Sequence, residues 1–150
     1  MNLLTDHLLS WILFIPTIGA LLLLLVPGRK IKAIRTAALV ISILPFLLTL
    51  LLLGNYTQPP AGQFVFEEQA ASFPAIGSSY HLGIDGVSLV MLLLTTLLTP
   101  LAILTSFNIK EKVKAFMILF LILETGMLGV FMALDLILFF LFWEIGLVPM

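Results

Sequence analysis

The stretch LLSWILFIPTIGALLLLLV, Leu8 to Val26, carries no charged side chain in nineteen residues. As an α-helix rising ~1.5 Å per residue, it is about long enough to cross the ~30 Å hydrocarbon core of a bilayer. Pro16 lies inside it, and membrane helices tolerate proline because neighbouring groups satisfy the freed carbonyl. The rival reading is a cleaved signal peptide. The preceding MNLLTDH lacks the Lys or Arg of a basic n-region, the run is too long for an h-region, and no A-x-A site follows. A retained span over 8–26 is therefore expected.

Working outward, PGRKIKAIR breaks the run with four cations, and a second span follows at 34–53 with Pro45 inside it. From Gly54 to Gly83 the composition turns to Pro, Gly, Ser and Gln, with Glu67 and Glu68 and no Lys or Arg. This reads as an external loop, with a short strand or hairpin at QFVFE. A third span is expected at 87–107, a fourth at 115–132 and a fifth from 135. The fifth has some sixteen residues before Met150, fewer than the ~20 a crossing needs, so the sequence is expected to stop within it. The fold class is an all-α membrane protein of about five transmembrane helices.

Composition points the same way. Of 150 residues, 61% are hydrophobic and 10% charged, and the mean hydropathy is +1.23, too apolar to hide in one soluble core. The net charge of −1, with no basic cluster among polar or aromatic readers, excludes nucleic acid as the expected partner. Cysteine is absent, which excludes disulfides, thiolate nucleophiles and Cys-ligated metal. His7 and His81 stand far apart, so no histidine pair suits a haem.

All seven basic residues fall in two loops, Arg29, Lys30, Lys32 and Arg35 in one and Lys110, Lys112 and Lys114 in the other. Two spans separate these loops, so both lie on one face, and the positive-inside rule makes 27–35 and 108–114 cytoplasmic. The expected location is the bacterial inner membrane.

Six of the eight acids, Asp6, Glu67, Glu68, Asp85, Glu111 and Asp135, fall in loops or at helix ends. They read as solvated or capping residues, with Asp135 placed to cap the fifth helix. Glu124 and Glu144 each stand ten residues from Leu134, on opposite sides, which in antiparallel helices puts both carboxyls ~15 Å deep. An acid at the midplane costs ~2.5–3.5 kcal/mol, so both are candidate proton-pathway residues. The bland alternative is a protonated glutamate bonded to a backbone carbonyl or a neighbouring helix. Trp143 and the Phe-rich run before it read as lipid-facing or packing residues. Gly126, Gly129 and Ala133 offer small surfaces on the fourth helix, with Gly129 and Ala133 at the spacing that allows close helix approach.

Two stretches carry a resemblance. YHLGIDGVSLVMLLLTTLLTPLAIL, Tyr80 to Leu104, and GVFMALDLILFFLFWEIGLVPM, Gly129 to Met150, resemble the subunit 4, or chain M, family of the proton-translocating NADH-quinone oxidoreductase, respiratory complex I. The second stretch alone would also admit the sister antiporter-like subunits and multisubunit sodium/proton antiporters. The resemblance implies that the chain is the N-terminal part of a larger antiporter-like bundle of about fourteen helices. Residues 1–112 would form its leading membrane region, and 113–150 would open the proton-antiporter-type domain. It implies that Glu144 is the family's membrane-centre glutamate, paired with a lysine on a later helix and passing protons while other subunits reduce quinone. NADH, FMN, iron–sulfur clusters and quinone would belong to those subunits, leaving no cofactor in this chain. The implied partners are the lipid bilayer and the other membrane subunits, the sister antiporter-like ones above all. Glu124 matches no motif position and stands on depth alone. A subunit of a cation/proton antiporter without redox coupling is the alternative function, a structural scaffold is a third, and H⁺ against Na⁺ stays open.

Overall fold

The chain, seen in a computed structural model, is described over residues 7–57, 60, 62–73 and 77–150; Asp6 and part of the 54–83 loop lie outside these. Five helices run in the order α1 (Leu8–Leu25), α2 (Ile31–Gly54), α3 (Gly86–Thr105), α4 (Val113–Met132) and α5 (Leu136–Leu147). Between α2 and α3 comes a hairpin of β1 (Val65–Phe73) and β2 (Ser78–Ile84). A short 3₁₀ turn, Ser106–Asn108, closes α3. The first four helices are long and apolar enough to cross a membrane. At 12 residues, α5 is ~18 Å long and falls short.

Helices α2 and α4 begin before the expected spans. Helix α2 begins at Ile31, three residues before the expected span, because helical hydrogen bonds are made by the backbone and need no apolar side chains: the Ile34 N–H already donates to the Lys30 carbonyl at 3.0 Å. The hairpin begins inside QFVFE as expected and extends to Phe73, pairing antiparallel with β2. A bulge between Val65 and Glu68, with Phe66 at φ 55°, re-aims the strand's side chains.

Two ends of the bundle differ in chemistry. At one end all seven cations gather, in two loops and the first turns of α2 and α4: the Lys114 ammonium donates to the Leu24 carbonyl at 2.9 Å, and the Arg35 guanidinium donates to the Ile109 carbonyl and stacks over Phe107. At the other end sits the hairpin. Each end has its own apolar core, Leu23, Ile34, Ile103, Met117 and Leu121 at the basic end and Leu9, Ile12, Leu82, Leu92, Leu128 and Met132 beneath the hairpin.

Carboxylates start the helices that begin at the hairpin end. Asp85 caps α3 by accepting from the Ser88 N–H at 2.7 Å. Asp135 caps α5 through the Ile137 and Leu138 N–H groups, at 2.9 and 3.1 Å. For α1 the cap comes from the hairpin: Glu68, 7% exposed, accepts from the Leu9 N–H at 2.7 Å and the Ser10 N–H at 3.2 Å. Each satisfies donors that the first helical turn leaves without a partner.

Candidate functional site

Glu124 and Glu144 reach different places. Helix α4 buries the face carrying Met117, Leu121, Glu124, Thr125, Leu128 and Met132, a 3.6-residue stripe in which a glutamate takes a core position. Glu124 is fully buried. Leu121, three residues before it, belongs to the basic-end core, and Leu128, four residues after, to the hairpin-end core. Neither carboxyl oxygen of Glu124 has a hydrogen-bond partner among the described residues. Beside it, the Thr125 hydroxyl lies 2.8 Å from that of Thr17 on α1 and donates to the Leu121 carbonyl at 3.3 Å. Ser42, Thr96 and Thr99 are buried too, and each donates to a carbonyl of its own preceding turn at 2.8–2.9 Å.

Glu144 is exposed on the outer face of α5, next to Trp143 at 50% exposure and near Phe140 and Leu147. Trp143 packs against Phe139 with ring centroids 6.0 Å apart. The antiparallel α4–α5 pair sets the heights: Gly126 faces Gly146, and Gly129 faces the Phe142 ring. Glu144 therefore stands beside the turn at Leu128, and Glu124 lies about one turn, ~6 Å, further from the hairpin. Counting from Leu134 expects equal depth. The difference arises because the link is not a tight turn: Ala133 and Asp135 are extended, Ala133 pairs with Leu82 of β2, and α5 starts closer to the hairpin surface. Ala133 thus forms part of the strand-like link, and the close helix approach uses Gly126 and Gly129 instead.

At the hairpin end the titratable groups are held by the loops. Backbone N–H donors from Leu138 and Ser79 lead in keeping the Asp135 carboxyl below the usual carboxylate range, and the Ser88 N–H does so for Asp85. Burial pushes the Tyr80 hydroxyl up; its hydrogen bond with Ser10 opposes this and the Glu68 charge adds to it. Sequence reasoning grouped Glu68 with solvated or capping acids; its specific role, capping a helix 59 residues away in sequence, has no local signal.

No Lys or Arg pairs with Glu124 or Glu144 within the helices, since all seven lie at the basic end, in its two loops or in the first turns of α2 and α4. Among the described residues no three His, Asp or Glu side chains converge on a metal-sized site. With cysteine also missing, the donor set does not fit an iron–sulfur cluster, and no step is assigned to one.

A bundle of apolar helices long enough to cross a bilayer, with one acid sealed inside and another on its flank, defines an integral membrane protein. No family model matches the chain. Over 149 residues it is 43% identical to NADH-quinone oxidoreductase subunit M of Rhodobacter capsulatus, covering 97% of this chain and 28% of that one. It is 42% identical to NADH-ubiquinone oxidoreductase chain 4 of Prototheca wickerhamii, covering 95% of this chain and 30% of the relative. In the solved respiratory complex I from Thermus thermophilus with bound NADH, a chain matches with a TM-score of 0.75 at 30% identity, over 94% of this chain and 27% of that one. The chain is a homologue of subunit M, or chain 4, of NADH-quinone oxidoreductases and has the fold of a complex I membrane subunit. It spans less than a third of the length of these relatives.

Proposed function

We propose that the chain is part of a proton-translocating membrane subunit of an NADH-quinone oxidoreductase, and that Glu144 takes up and releases the proton. One observation carries the reading: Glu144 is the one ionisable residue within α5, set among Phe140, Trp143 and Leu147 on an exposed face. A charge facing lipid at that depth costs ~2.5–3.5 kcal/mol. The face is therefore covered by other protein of the assembly, carrying a cation or a hydrogen-bonding partner for the glutamate. A partner that approaches and withdraws changes the cost of the charged form, which is what loads and unloads a proton. The names of the relatives support the oxidoreductase context; in this proposal NADH, FMN, iron–sulfur clusters and quinone are held by other subunits.

Glu124 is proposed as a second proton-pathway residue, supported by its burial without a partner among the described residues. In the same reading residues 1–112 lead into a proton-antiporter-type domain opening at 113, the basic end faces the cytoplasm of a bacterial inner membrane, and sister antiporter-like subunits are neighbours. The test is Glu144→Gln in the complete subunit, assembled in its complex. Proton pumping per NADH oxidised is expected to collapse with assembly intact, and normal pumping by a fully assembled variant overturns the role of Glu144.

A further inference from the structure

Helix α5 is held loosely by its own side chains. Apart from Glu144 its side chains are apolar, and only Phe142 is buried, seated against Gly129 with Leu138 and Ile145 half-buried on the same core, so within this chain few side-chain contacts fix how far it sits along its axis or how it is rotated. The close contact of Gly126 with Gly146 sets its distance from α4, and a glycine–glycine contact has no side chain to resist sliding. The fixed point is its start. One oxygen of Asp135 accepts from the α5 donors Ile137 N–H and Leu138 N–H, and also from the Ser78 hydroxyl at 3.0 Å. The other oxygen accepts from the Ser79 N–H at 3.1 Å. A single carboxylate thus caps the helix and binds it to the first residues of β2. Next to it, the Leu134 N–H donates to the His81 carbonyl at 2.9 Å. The hairpin is itself anchored: Glu68 on β1 caps α1, and the Ser10 hydroxyl meets both Glu68 and, at 2.8 Å, the Tyr80 hydroxyl of β2.

We propose that Asp135 is a positioning residue for Glu144: by tying the start of α5 to a hairpin locked onto α1, it fixes the height and rotation at which Glu144 meets its proton partner. This rests on the reading of Glu144 given above. A slip of one residue moves Glu144 ~1.5 Å along the axis and turns it by ~100°. Proton transfer needs donor and acceptor within ~2.6–3.2 Å, so such a slip takes Glu144 out of reach.

The test separates the tie from simple capping. Serine is a good N-cap but is too short to cap α5 and also reach Ser78 and Ser79, so Asp135→Ser keeps the helix start and removes the side-chain part of the tie, leaving only the backbone contact of Leu134 with His81. It is made in the complete subunit, assembled in its complex. Proton pumping per NADH oxidised is measured together with disulfide formation between Leu123→Cys and Leu147→Cys, two positions lining the groove between α4 and α5. Asp135→Ser is expected to lower pumping at least about threefold, since a misplacement near 1 Å can cost up to ~100-fold, and to change the cross-linking rate. Leu82 and Ala133 form an antiparallel bridge, and the Leu134 to His81 bond makes them the close, non-hydrogen-bonded kind that suits a disulfide. Adding Leu82→Cys with Ala133→Cys to Asp135→Ser should restore pumping on oxidation and lose it again on reduction. Unchanged pumping in Asp135→Ser, lowered pumping with an unchanged cross-linking rate, or failure of the disulfide to restore it each overturns the proposal. If Asp135→Ser does not assemble, Ser78→Ala removes one hairpin bond and leaves the cap; the same changes on a smaller scale support the tie, and none overturns it. Should Glu144→Gln pump normally while Asp135→Ser still alters the cross-link, the tie stands and the role of Glu144 falls.

Discussion

Replacing Gly126 by alanine should drive α4 and α5 apart, whereas the same change at Gly146 should not. A Cβ on Gly126 would lie 2.7 Å from both the Cα and the N of Gly146 and 3.2 Å from the Phe142 carbonyl oxygen. Carbon atoms in good contact stand ~3.5–4.0 Å apart, and backbone atoms cannot swing aside, so the helices must separate by ~1 Å. Overpacking of this kind costs ~1–3 kcal/mol. A Cβ on Gly146 meets Gly126 at 3.9 Å, ordinary contact. Both changes gain helix propensity, up to ~1 kcal/mol mid-helix and less at Gly146, which is next to the end of α5. The difference between the variants therefore understates the clash. Unfolding of the purified complete subunit in mixed micelles is the assay, with Gly126→Ala less stable than Gly146→Ala by ~1–3 kcal/mol. Equal stability, or the reverse order, refutes the packing argument.

Glu124→Leu fills the same space without two buried oxygens that have no partner among the described residues, so stability in the same assay should rise by ~1–3 kcal/mol, while the proposed pathway role calls for slower pumping; a destabilised protein would mean that Glu124 has a partner elsewhere in the complete subunit. The capping carboxyls give the pH response. Asp85 and Asp135 are held below the usual carboxylate range by backbone N–H donors, so their stabilisation is fully present above an unfolded-state pKa near ~4 and disappears as pH falls through the lower folded-state value. Thermal unfolding between pH 7 and 3 should show a flat plateau down to about pH 4 and a fall below it, blunted in Asp85→Asn.

Much of the fold is legible in the chain because membrane spans obey a local rule: about twenty apolar residues satisfy their own backbone and their solvent together. The spans from Leu8, Ile31, Gly86 and Val113 follow from this, as does the gathering of seven cations in two loops. Capping is also local, so Asp135 could be matched to α5 from its position alone. The reach of β1 through Gln69 to Phe73 was not legible, because Glu, Gln, Ala and Ser have little strand preference of their own and are strands here only through pairing with β2.

The sequence alone determined that Glu124 and Glu144 are acids in apolar helices, because composition and spacing are properties of the chain. Only the tertiary structure decided that Glu124 is sealed between two cores, that Glu144 lies on the flank about a turn nearer the hairpin, and that Glu68 and Asp135 lock the hairpin to α1 and α5. The physical reason is that height and facing depend on contacts between residues distant in sequence, such as Glu68 with Leu9, Asp135 with Ser79 and Gly126 with Gly146. No local periodicity encodes those distances.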